Sequence, residues 1–385
     1  DGRLYWNFGN TGGGVRDKNG KQVIDLAGNA VIDNGKPYFG GMVFRCEMDG
    51  SNFEVLGHNF RNNYEVAVDS FGTLWQSDND DDGNKGVRIN YVMEYGNFGY
   101  RDEMTGAGWQ TKRTNMEKEI PLRHWHLNDP GVVPNLLQTG NGSPTGICIY
   151  EGNVLPDAFR NQMIHCDAGP RVVRAYPITP SGAGYKASIA NILTSPDSWY
   201  RPSDVCVGPD GALYIADWHD AGVGGHNMAD RALQSMTGRN YRVAPKGAKA
   251  KAPKINLKSP KGAVATLQSP NMWARYLAWT ALNQMQGKMQ GKAEQELTKL
   301  WTGANPQMRA RALNLLARIK GNEQKYVETA LADTDVNIRI TGLRLARALK
   351  PDVIPYVQQL VKDPAAQVRR ECAIALRHNQ SPEAP

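Results

Sequence analysis

Cysteine is scarce in this chain, with five among 385 residues. None of the five forms a Cys-x-x-Cys pair, a zinc-ligand spacing or the Cys-x-x-Cys-His sequence that attaches a c-type haem. Because five is an odd number, they cannot all pair within the chain. We therefore expect small buried side chains rather than a disulfide framework or a thiolate metal centre.

Other patterns are also missing. No apolar run approaches the roughly 18 residues that a membrane-spanning helix needs. The sequence has no glycine-rich phosphate-binding loop and no Gly-x-Ser-x-Gly nucleophile elbow. These absences argue against P-loop nucleotide hydrolysis and against α/β-hydrolase chemistry.

Charge is divided unequally along the chain. Residues 1–245 contain 22 Lys and Arg against 28 Asp and Glu, a net charge of −6, whereas residues 246–385 contain 23 against 10, a net charge of +13. A basic half could bind nucleic acid or another anionic surface. No aromatic stacking pattern or groove-reading motif accompanies the charge, so we expect no nucleic-acid partner and favour a helical surface that docks onto an acidic neighbour.

A strand-and-turn unit recurs in the first 245 residues. Residues 60–78 and 200–217 each begin with an aromatic residue and an arginine, pass through a turn glycine, and end in a strand that closes on aspartate. Residues 161–167 form a looser copy, and Gly2 opens another. Short strands between Gly, Pro, Asn and Asp turns indicate β-structure, and radial repetition of small antiparallel sheets is typical of a β-propeller.

The second part of the chain has a helical period. Four arginines, spaced by 34, 30 and 30 residues, are each followed by a small residue three positions on and by apolar residues six and seven positions on; they are Arg275, Arg309, Arg339 and Arg369. Each interval accommodates two short helices, and turn and cap signals at residues 305–306, 333–335 and 363–364 precede the second helix. This pattern predicts a HEAT-like α-solenoid.

We therefore predict a multidomain protein with an all-β part followed by an all-α part. Residues 1–245 would form a β-propeller portion, residues 246–256 a basic linker, and residues 257–385 the HEAT-like repeats. Propellers have about four to eight blades, and only three or four blade units are recognisable here. We expect an incomplete propeller that belongs to a longer polypeptide.

An acidic segment is the strongest local signal for a metal ion. Asp78, Asp80 and Asp82 alternate before a glycine, which resembles the start of a calcium loop, and Asp81 adds a fourth carboxylate. The twelfth position of that loop is Ile89 instead of glutamate, so an EF-hand is excluded. A calcium-bearing propeller loop and an acidic solvated turn remain as alternatives.

Two arginines and an asparagine are candidates for ligand binding. Arg61, Asn62 and Arg201 precede the strands that end in Asp78 and Asp217. In a propeller, equivalent strand ends converge around the central channel, and forked guanidinium groups suit bidentate recognition of carboxylates. Such a channel would hold a polyanionic quinone or a sugar; the alternative is that the arginines form structural ion pairs.

Asp217 and His219 are the candidate catalytic residues, because the segment 217–220 continues directly from a strand and reads Asp-Trp-His-Asp. A Trp-His-Asp set at a cavity mouth suits sugar binding or proton transfer. The alternative is that His219 and His226 only order the loop. Carbohydrate lyase or hydrolase chemistry by Asp78, Asp217 and His219 is a further alternative, and it needs two carboxyl groups about 5–9.5 Å apart.

Residues 60–100, 143–174 and 200–220 resemble the glucose/sorbosone dehydrogenase family, whose members are six-bladed propellers that use pyrroloquinoline quinone (PQQ) and calcium. The sequence GPDGALYIADW followed by helical repeats is most similar to a subgroup from planctomycetes and related bacteria, named as membrane-bound dehydrogenases. In that subgroup the propeller runs into HEAT repeats, often followed by a c-type cytochrome domain. The resemblance implies an incomplete propeller of the six-bladed type.

The resemblance also implies roles for individual residues. The residues that would contact PQQ are Arg61, Asn62 and Arg201. Backbone oxygens near Asp80 and Asp81 would lie beside calcium. The sequence departs from the family where Glu-His-Gly-Pro is replaced by residues 78–81 and where a second cofactor arginine falls on Ser203. The family's histidine base would come from blades that precede residue 1.

We therefore expect a quinoprotein-like dehydrogenase that oxidises a sugar or alcohol with PQQ and Ca²⁺, as a fragment of a larger enzyme. The expected partners are the sugar or alcohol, a c-type cytochrome acceptor and a protein bound by the HEAT repeats. The protein is expected to be periplasmic or exported, and the alternative is that it is associated with a membrane. The alternative is a non-catalytic propeller that binds carbohydrate or assembles proteins beside a HEAT docking platform.

Overall fold

The computed structural model describes residues 1–223, 234 and 236–384, and it divides them into a β-half and a helical half. The strands are β1 (Leu4–Phe8), β2 (Gly41–Cys46), β3 (Glu54–Phe60), β4 (Asn62–Val68), β5 (Leu74–Asn79), β6 (Val87–Val92), β7 (Gly96–Asn97), β8 (Leu137–Gly140), β9 (Pro144–Tyr150), β10 (Gln162–Asp167), β11 (Val172–Tyr176), β12 (Ile178–Ser181), β13 (Gly184–Ala187), β14 (Ala190–Thr194), β15 (Pro202–Val207), β16 (Leu213–Asp217) and β17 (Arg239–Val243). The helices are α1 (Ile120–Arg123), α2 (Pro260–Leu267), α3 (Met272–Asn283), α4 (Lys288–Trp301), α5 (Pro306–Leu316), α6 (Glu323–Leu331), α7 (Val336–Leu349), α8 (Ile354–Leu360) and α9 (Ala366–Leu376), and a 3₁₀ turn spans Asp157–Phe159.

The strands form small sheets that follow one another along the chain. Their orders are β1-β2-β3-β7, β4-β5-β6-β8, β9-β10-β11-β14 and β15-β16-β17, with β12 and β13 as a separate hairpin. Neighbouring strands are antiparallel, except that β3 and β7 are parallel. The predicted all-β first half is therefore present as a series of small, mostly antiparallel sheets.

The last three sheets lie side by side through their first strands. The backbone N–H of Ile147 on β9 donates to the Glu65 carboxylate on β4 at 2.7 Å, and the Thr145 hydroxyl donates to the Pro202 carbonyl on β15 at 2.9 Å. Successive propeller blades require this contact between first strands. The number of blades and the closure of a ring remain predictions.

Turn glycines lie in the hairpins of the repeated unit. Gly72 joins β4 to β5 with a φ of 85°, and Gly211 joins β15 to β16 with a φ of 82°. Residues with a β-carbon rarely adopt this left-handed conformation. The hairpins predicted within residues 60–78 and 200–217 are confirmed.

The helical half consists of consecutive helices that pack in pairs: α2 with α3, α4 with α5, α6 with α7, and α8 with α9. The second helix of a pair often begins at a polar cap. Asn271, Asn305 and Asp335 each accept a hydrogen bond from a backbone N–H in the first turn of α3, α5 or α7. The assignment of these pairs to HEAT repeats, and of a protein partner to them, remains a prediction.

Two of the periodic arginines connect one helical pair to the next. Arg309 forms an ion pair with Asp333, and Arg339 Nε donates to Asp363 Oδ2 at 2.8 Å. Arg369 donates to the Asp363 carbonyl at 2.6 Å. This ladder gives a physical reason for the 30-residue spacing of the arginines.

The helical half packs directly on the β-half. Phe71, at the tip of the β4–β5 hairpin, is buried in the hydrophobic core of the helices, and Arg344 donates to its carbonyl at 3.1 Å. Glu151, which follows β9, accepts from Arg311 at 2.9 Å and also pairs with Arg275. The acidic neighbour expected for the basic helices is therefore the β-half of the same chain.

The segment between the two halves, which includes the predicted linker 246–256, contains neither strand nor helix and runs from the end of β17 to the start of α2. The domain limits at residues 245 and 257 remain predictions. Among the described residues, none of the helices combines the length and apolar character that crossing a bilayer requires.

Replacing Glu151 with glutamine is expected to destabilise the protein. Burial opposes ionisation of Glu151, but Arg275 and Arg311 outweigh it and lower the pKa of this carboxyl to about 2. Its contribution is therefore fully present above its unfolded pKa of 4.5 and is lost as the pH falls towards 2. We expect a loss of about 3 kcal/mol in the free energy of unfolding at neutral pH, measured by urea titration.

The matched control is Glu328→Gln, because Glu328 is exposed on α6 and only accepts from Gln324 on the same helix. This control should change stability by less than about 0.5 kcal/mol. Equal stability of the two variants at pH 7 would contradict the role assigned to Glu151.

Candidate functional site

Asp78 lies at the end of β5 and is fully buried. Its Oδ1 accepts from the Asn62 N–H at 2.8 Å, and its Oδ2 accepts from the Arg61 N–H at 3.2 Å. Arg88 on β6 donates to the same oxygen from Nε at 3.1 Å and from Nη2 at 2.7 Å. Burial raises the pKa of Asp78, and Arg88 with the two backbone donors opposes that rise.

The same arrangement occurs in the next sheet, where Asp167 ends β10. Its Oδ1 accepts from the Ser143 N–H at 2.7 Å, directly before β9, and its Oδ2 accepts from Arg174 on β11 at 2.9 Å. The aspartate therefore ties the start of the first strand to the third strand.

Asp217 repeats the arrangement at the end of β16. Its Oδ1 accepts from the N–H groups of Arg201 and His219, both at 2.8 Å, and its Oδ2 accepts from Arg239 Nε at 2.8 Å. The strand-end aspartates thus hold their own sheets together. The predicted roles of Asp78 as a metal ligand and of Asp217 as a catalytic residue gain no support, because both side chains are buried and their oxygens accept internal hydrogen bonds.

The other carboxylates of the acidic loop point to separate partners. Asp80 is buried and accepts from the Gly86 N–H, Asp81 binds Arg61, and Asp82 is exposed. Across the described ranges, no three His, Cys, Asp or Glu side chains are grouped so that they could hold a metal ion. The predicted set of carboxylates does not fit calcium, and calcium on backbone carbonyls near Asp80 and Asp81 remains a prediction.

Arg201 is also engaged internally. It is 6% exposed, and its guanidinium donates to the carbonyls of Gly222, Tyr200 and Ala221 at 2.9, 3.1 and 2.8 Å. Ser203, at the position of the family's second cofactor arginine, donates to the Ala216 carbonyl at 3.3 Å. Of the three predicted PQQ contacts, Arg61 and Asn62 remain accessible and Arg201 does not, so the residues fit PQQ only in part.

His219 lies beside the same loop. Its Nδ1 is 2.7 Å from the Thr237 hydroxyl, and its Nε2 is 3.7 Å from Asp197 Oδ2. Asp217 contacts the backbone N–H of His219 and not the ring. The two predicted catalytic residues therefore form no side-chain acid–base pair, and His226 lies outside the described residues.

A different group of side chains comes together around Asp81. Its Oδ1 accepts from Arg61 Nε at 3.1 Å and lies 3.5 Å from the Tyr100 hydroxyl, and its Oδ2 accepts from the indole N–H of Trp109 at 2.8 Å. The ring of His124 lies 5.8 Å from that of Tyr100 and 6.0 Å from that of Trp109, measured between centroids. We call these five residues the Arg61 cluster.

His124 contributes a buried polar group to the Arg61 cluster. Its Nδ1 is 2.9 Å from the Asn84 amide nitrogen, and because an amide nitrogen can only donate, Nδ1 accepts and Nε2 carries the proton. Within the described part of the chain this Nε2 has no hydrogen-bond partner. Burial lowers the pKa of His124 to about 3 against the opposing effect of Asp81, so the ring is neutral at physiological pH.

The insertion that carries His124 is fixed onto the acidic loop. The indole N–H of Trp125 donates to the Gly86 carbonyl at 2.6 Å, and the Arg88 guanidinium stacks 3.6 Å from the Trp125 ring centroid. Tyr100, Trp109 and His124 were not among the site residues predicted from the sequence. No local pattern identifies a contact between two loops that are so far apart in sequence.

The Arg61 cluster is accessible at the surface of the β-half. The side chains of Arg61 and Asp81 are 22% and 33% exposed, and Asn62 beside them is exposed. A carboxylate, a guanidinium and two aromatic rings with polar edges can bind a ligand that carries several hydroxyl groups. A cavity of about 520 Å³ lies elsewhere, between the first sheet and the helices, and none of the predicted site residues lines it.

Replacing Asp78 with asparagine is expected to reduce the stability of the protein without a direct effect on ligand binding. The substitution leaves the Arg88 guanidinium buried without its counter-charge, which costs about 3–5 kcal/mol. Thermal and urea unfolding would measure the loss. Asp157→Asn is the control, because Asp157 is 84% exposed in a surface ion pair, and a variant D78N as stable as this control would contradict the structural role.

The structures similar to this chain include several sugar dehydrogenases. One is an oxidoreductase (glucose dehydrogenase) from Thermus thermophilus, with 17% identity, a TM-score of 0.35, and coverage of 52% of this chain and 54% of that one. Another is the PQQ-bound aldose sugar dehydrogenase from Streptomyces coelicolor, with 16% identity, a TM-score of 0.36, and coverage of 59% and 56%. The soluble aldose sugar dehydrogenase from Escherichia coli has 17% identity, a TM-score of 0.33, and coverage of 46% and 51%.

This chain spans little more than half the length of these dehydrogenases. No protein with a curated function matches it in sequence. Residues 1–247, well over half of the chain, match the model of DUF7133, a domain of unknown function, and the protein belongs to that family.

Proposed function

We propose that the β-half binds a sugar or a similar polyhydroxylated ligand at the Arg61 cluster. The observation that supports this most directly is the accessible Asp81 carboxylate, held between a guanidinium and an indole N–H. A carboxylate fixed in this way accepts hydrogen bonds from ligand hydroxyls, and the aromatic rings of Tyr100 and Trp109 offer apolar faces to the C–H side of a sugar ring.

The buried His124 adds directional selectivity. Its Nε2–H has no partner among the described residues, and an unpaired buried donor costs about 1–3 kcal/mol. His124 is fully buried, so a ligand oxygen recovers that cost when binding opens a path to this nitrogen. Since the ring is neutral, its N–H can donate to a neutral hydroxyl or ether oxygen as well as to an anion.

Sugar binding at this site is expected to weaken when either the ring or the carboxylate is removed. Trp109→Ala removes the stacking face, Asp81→Asn removes the charged acceptor, and each should weaken binding of the preferred sugar at least tenfold. Isothermal titration with a panel of aldoses, sugar alcohols and sugar acids would measure the dissociation constants.

Trp273→Ala provides the matched control, since Trp273 is 68% exposed on α3 in the helical half. It should leave sugar affinity unchanged. If no sugar of the panel binds the wild-type chain, or if all three variants bind alike, the Arg61 cluster is not the sugar site.

We further propose, as a second candidate, that the whole protein oxidises its sugar with PQQ and passes electrons to a c-type cytochrome in the periplasm. The accessible Arg61 and Asn62 favour this proposal, because both begin β4 next to the acidic loop within the segment that resembles sugar dehydrogenases. PQQ would supply hydride acceptance when bound. The side chains of Arg201 and Asp78 are engaged in internal contacts and are not free to hold PQQ or calcium.

Titration of the full chain with PQQ separates the two candidates. PQQ should quench tryptophan fluorescence, and this quenching should be lost when Arg61 is replaced. That result, together with sugar-dependent dye reduction, would support the dehydrogenase. Sugar binding without any change on adding PQQ and calcium would favour a non-catalytic carbohydrate-binding protein.

A further inference from the structure

The cavity between the two halves is lined by cationic side chains from both of them. It has a volume of about 520 Å³ and opens between the β2–β3 turn and the carboxyl ends of α5, α7 and α9. The cations that line it are Arg3, Arg45, Arg318, Arg344, Arg347 and Lys350, whereas the lining carboxylates are Glu47 and Glu54. The volume lies within the range of about 300–1,000 Å³ that small-molecule sites occupy.

Four of the six cations that line this cavity have carboxylate partners. Glu54 pairs with both Arg3 and Arg45. Glu94, which is 1% exposed behind the cavity, pairs with both Arg45 and Arg347. Arg3 also pairs with Asp1, and Arg344 pairs with Glu371. These four arginines are therefore compensated, and the positive charge that remains at the cavity wall belongs to the other two cations.

Two further cations have no carboxylate partner among the described ion pairs. Arg318, at the end of α5, donates only to the carbonyl and side chain of Asn314, at 2.7 and 3.3 Å. Lys350 caps the carboxyl end of α7 and forms no ion pair in the part of the chain that is described. Burial lowers the pKa of Arg318 to about 10 and Arg3 adds to the effect, whereas Tyr5 and Glu47 oppose it.

The cavity lining also includes an aromatic side chain, Tyr95. Tyr95 packs edge-on against His378 with 4.6 Å between ring centroids, and the Arg347 guanidinium lies 5.7 Å from the Tyr95 ring. The cavity therefore combines a cationic wall with an aromatic edge. An inorganic ion would fill only a fraction of this volume, whereas a phosphorylated sugar offers both a phosphate for the cations and a ring for the aromatic side chain.

We propose that this cavity binds a small phosphorylated metabolite of sugar-phosphate size, with the phosphate on Arg318 and Lys350. Forked guanidinium groups and lysine ammonium groups are the usual protein partners of phosphate. The site is built from Arg3 and Arg45 on the first sheet and from residues at the ends of α5 and α7. A bound phosphate ester therefore links the two halves and stabilises their contact.

Isothermal titration and thermal unfolding of the full chain test this site at fixed ionic strength. The probes are glucose 6-phosphate, inorganic phosphate and unphosphorylated glucose. We expect glucose 6-phosphate to bind and to raise the midpoint of thermal unfolding, and Arg318→Gln and Lys350→Gln each to weaken its binding at least tenfold. Because Lys350 lies at a helix end, its substitution tests the site even if R318Q fails to fold.

Two controls give the result its specificity. Lys292→Gln removes an exposed lysine of α4, and Trp273→Ala removes an exposed ring of α3; both should leave glucose 6-phosphate binding unchanged. Unphosphorylated glucose reports on the proposed sugar site, so that the two sites succeed or fail separately. Failure of glucose 6-phosphate to bind, or binding that R318Q and K350Q do not weaken, overturns the proposal. Equal binding of inorganic phosphate and glucose 6-phosphate also overturns it, because it indicates an adventitious ion only.

Discussion

A buried carboxylate that ties three strands together is the constraint on which the β-half depends. Asp78, Asp167 and Asp217 each accept hydrogen bonds from the backbone just before the first strand and from an arginine on the third strand. The several donors offset the desolvation of the charge, which a single ion pair would not do. Because the backbone at residue 61 is held in this way, the Arg61 side chain reaches Asp81 on the neighbouring loop.

Buried ion pairs also hold the β-half and the helical half together. The β-half is acidic and the helical half is basic, and the surplus charges meet at a few buried carboxylates instead of over a broad surface. Glu151 and Glu94 each receive arginines from the helices. The face of the helices that carries these arginines is thus covered by the chain itself.

Features set by local chemistry could be predicted from the sequence. The turn glycines Gly72 and Gly211 were found because a left-handed turn restricts the residue type, and the helical pairs were found because the arginine spacing is regular. The roles of the strand-end aspartates could not be found in this way. Aspartate in that position serves equally as ligand, catalyst or internal acceptor, and the choice depends on Arg88 or Arg239 lying opposite on the next strand.

The candidate site was missed for a related reason. Arg61 and Asn62 were identified, but the residues that complete the cluster, Tyr100, Trp109 and His124, come from a long insertion with no regular period. Their approach to Asp81 is a tertiary contact, fixed by Trp125 on Gly86 and Arg88. A pattern within one segment carries no information about which distant loop it meets.

The arginine ladder of the helices has a consequence for how this chain can change in length. Both rungs, Arg309 to Asp333 and Arg339 to Asp363, join residues 24 positions apart, so loss or duplication of one whole helical pair would bring an equivalent aspartate opposite each arginine. The arginine ladder by itself would therefore permit the loss or duplication of a helical pair. The anchors on Phe71, Glu94 and Glu151 would not, since each engages arginines of a particular pair, and the number of pairs that rest on the β-half is therefore set by the spacing of its sheets.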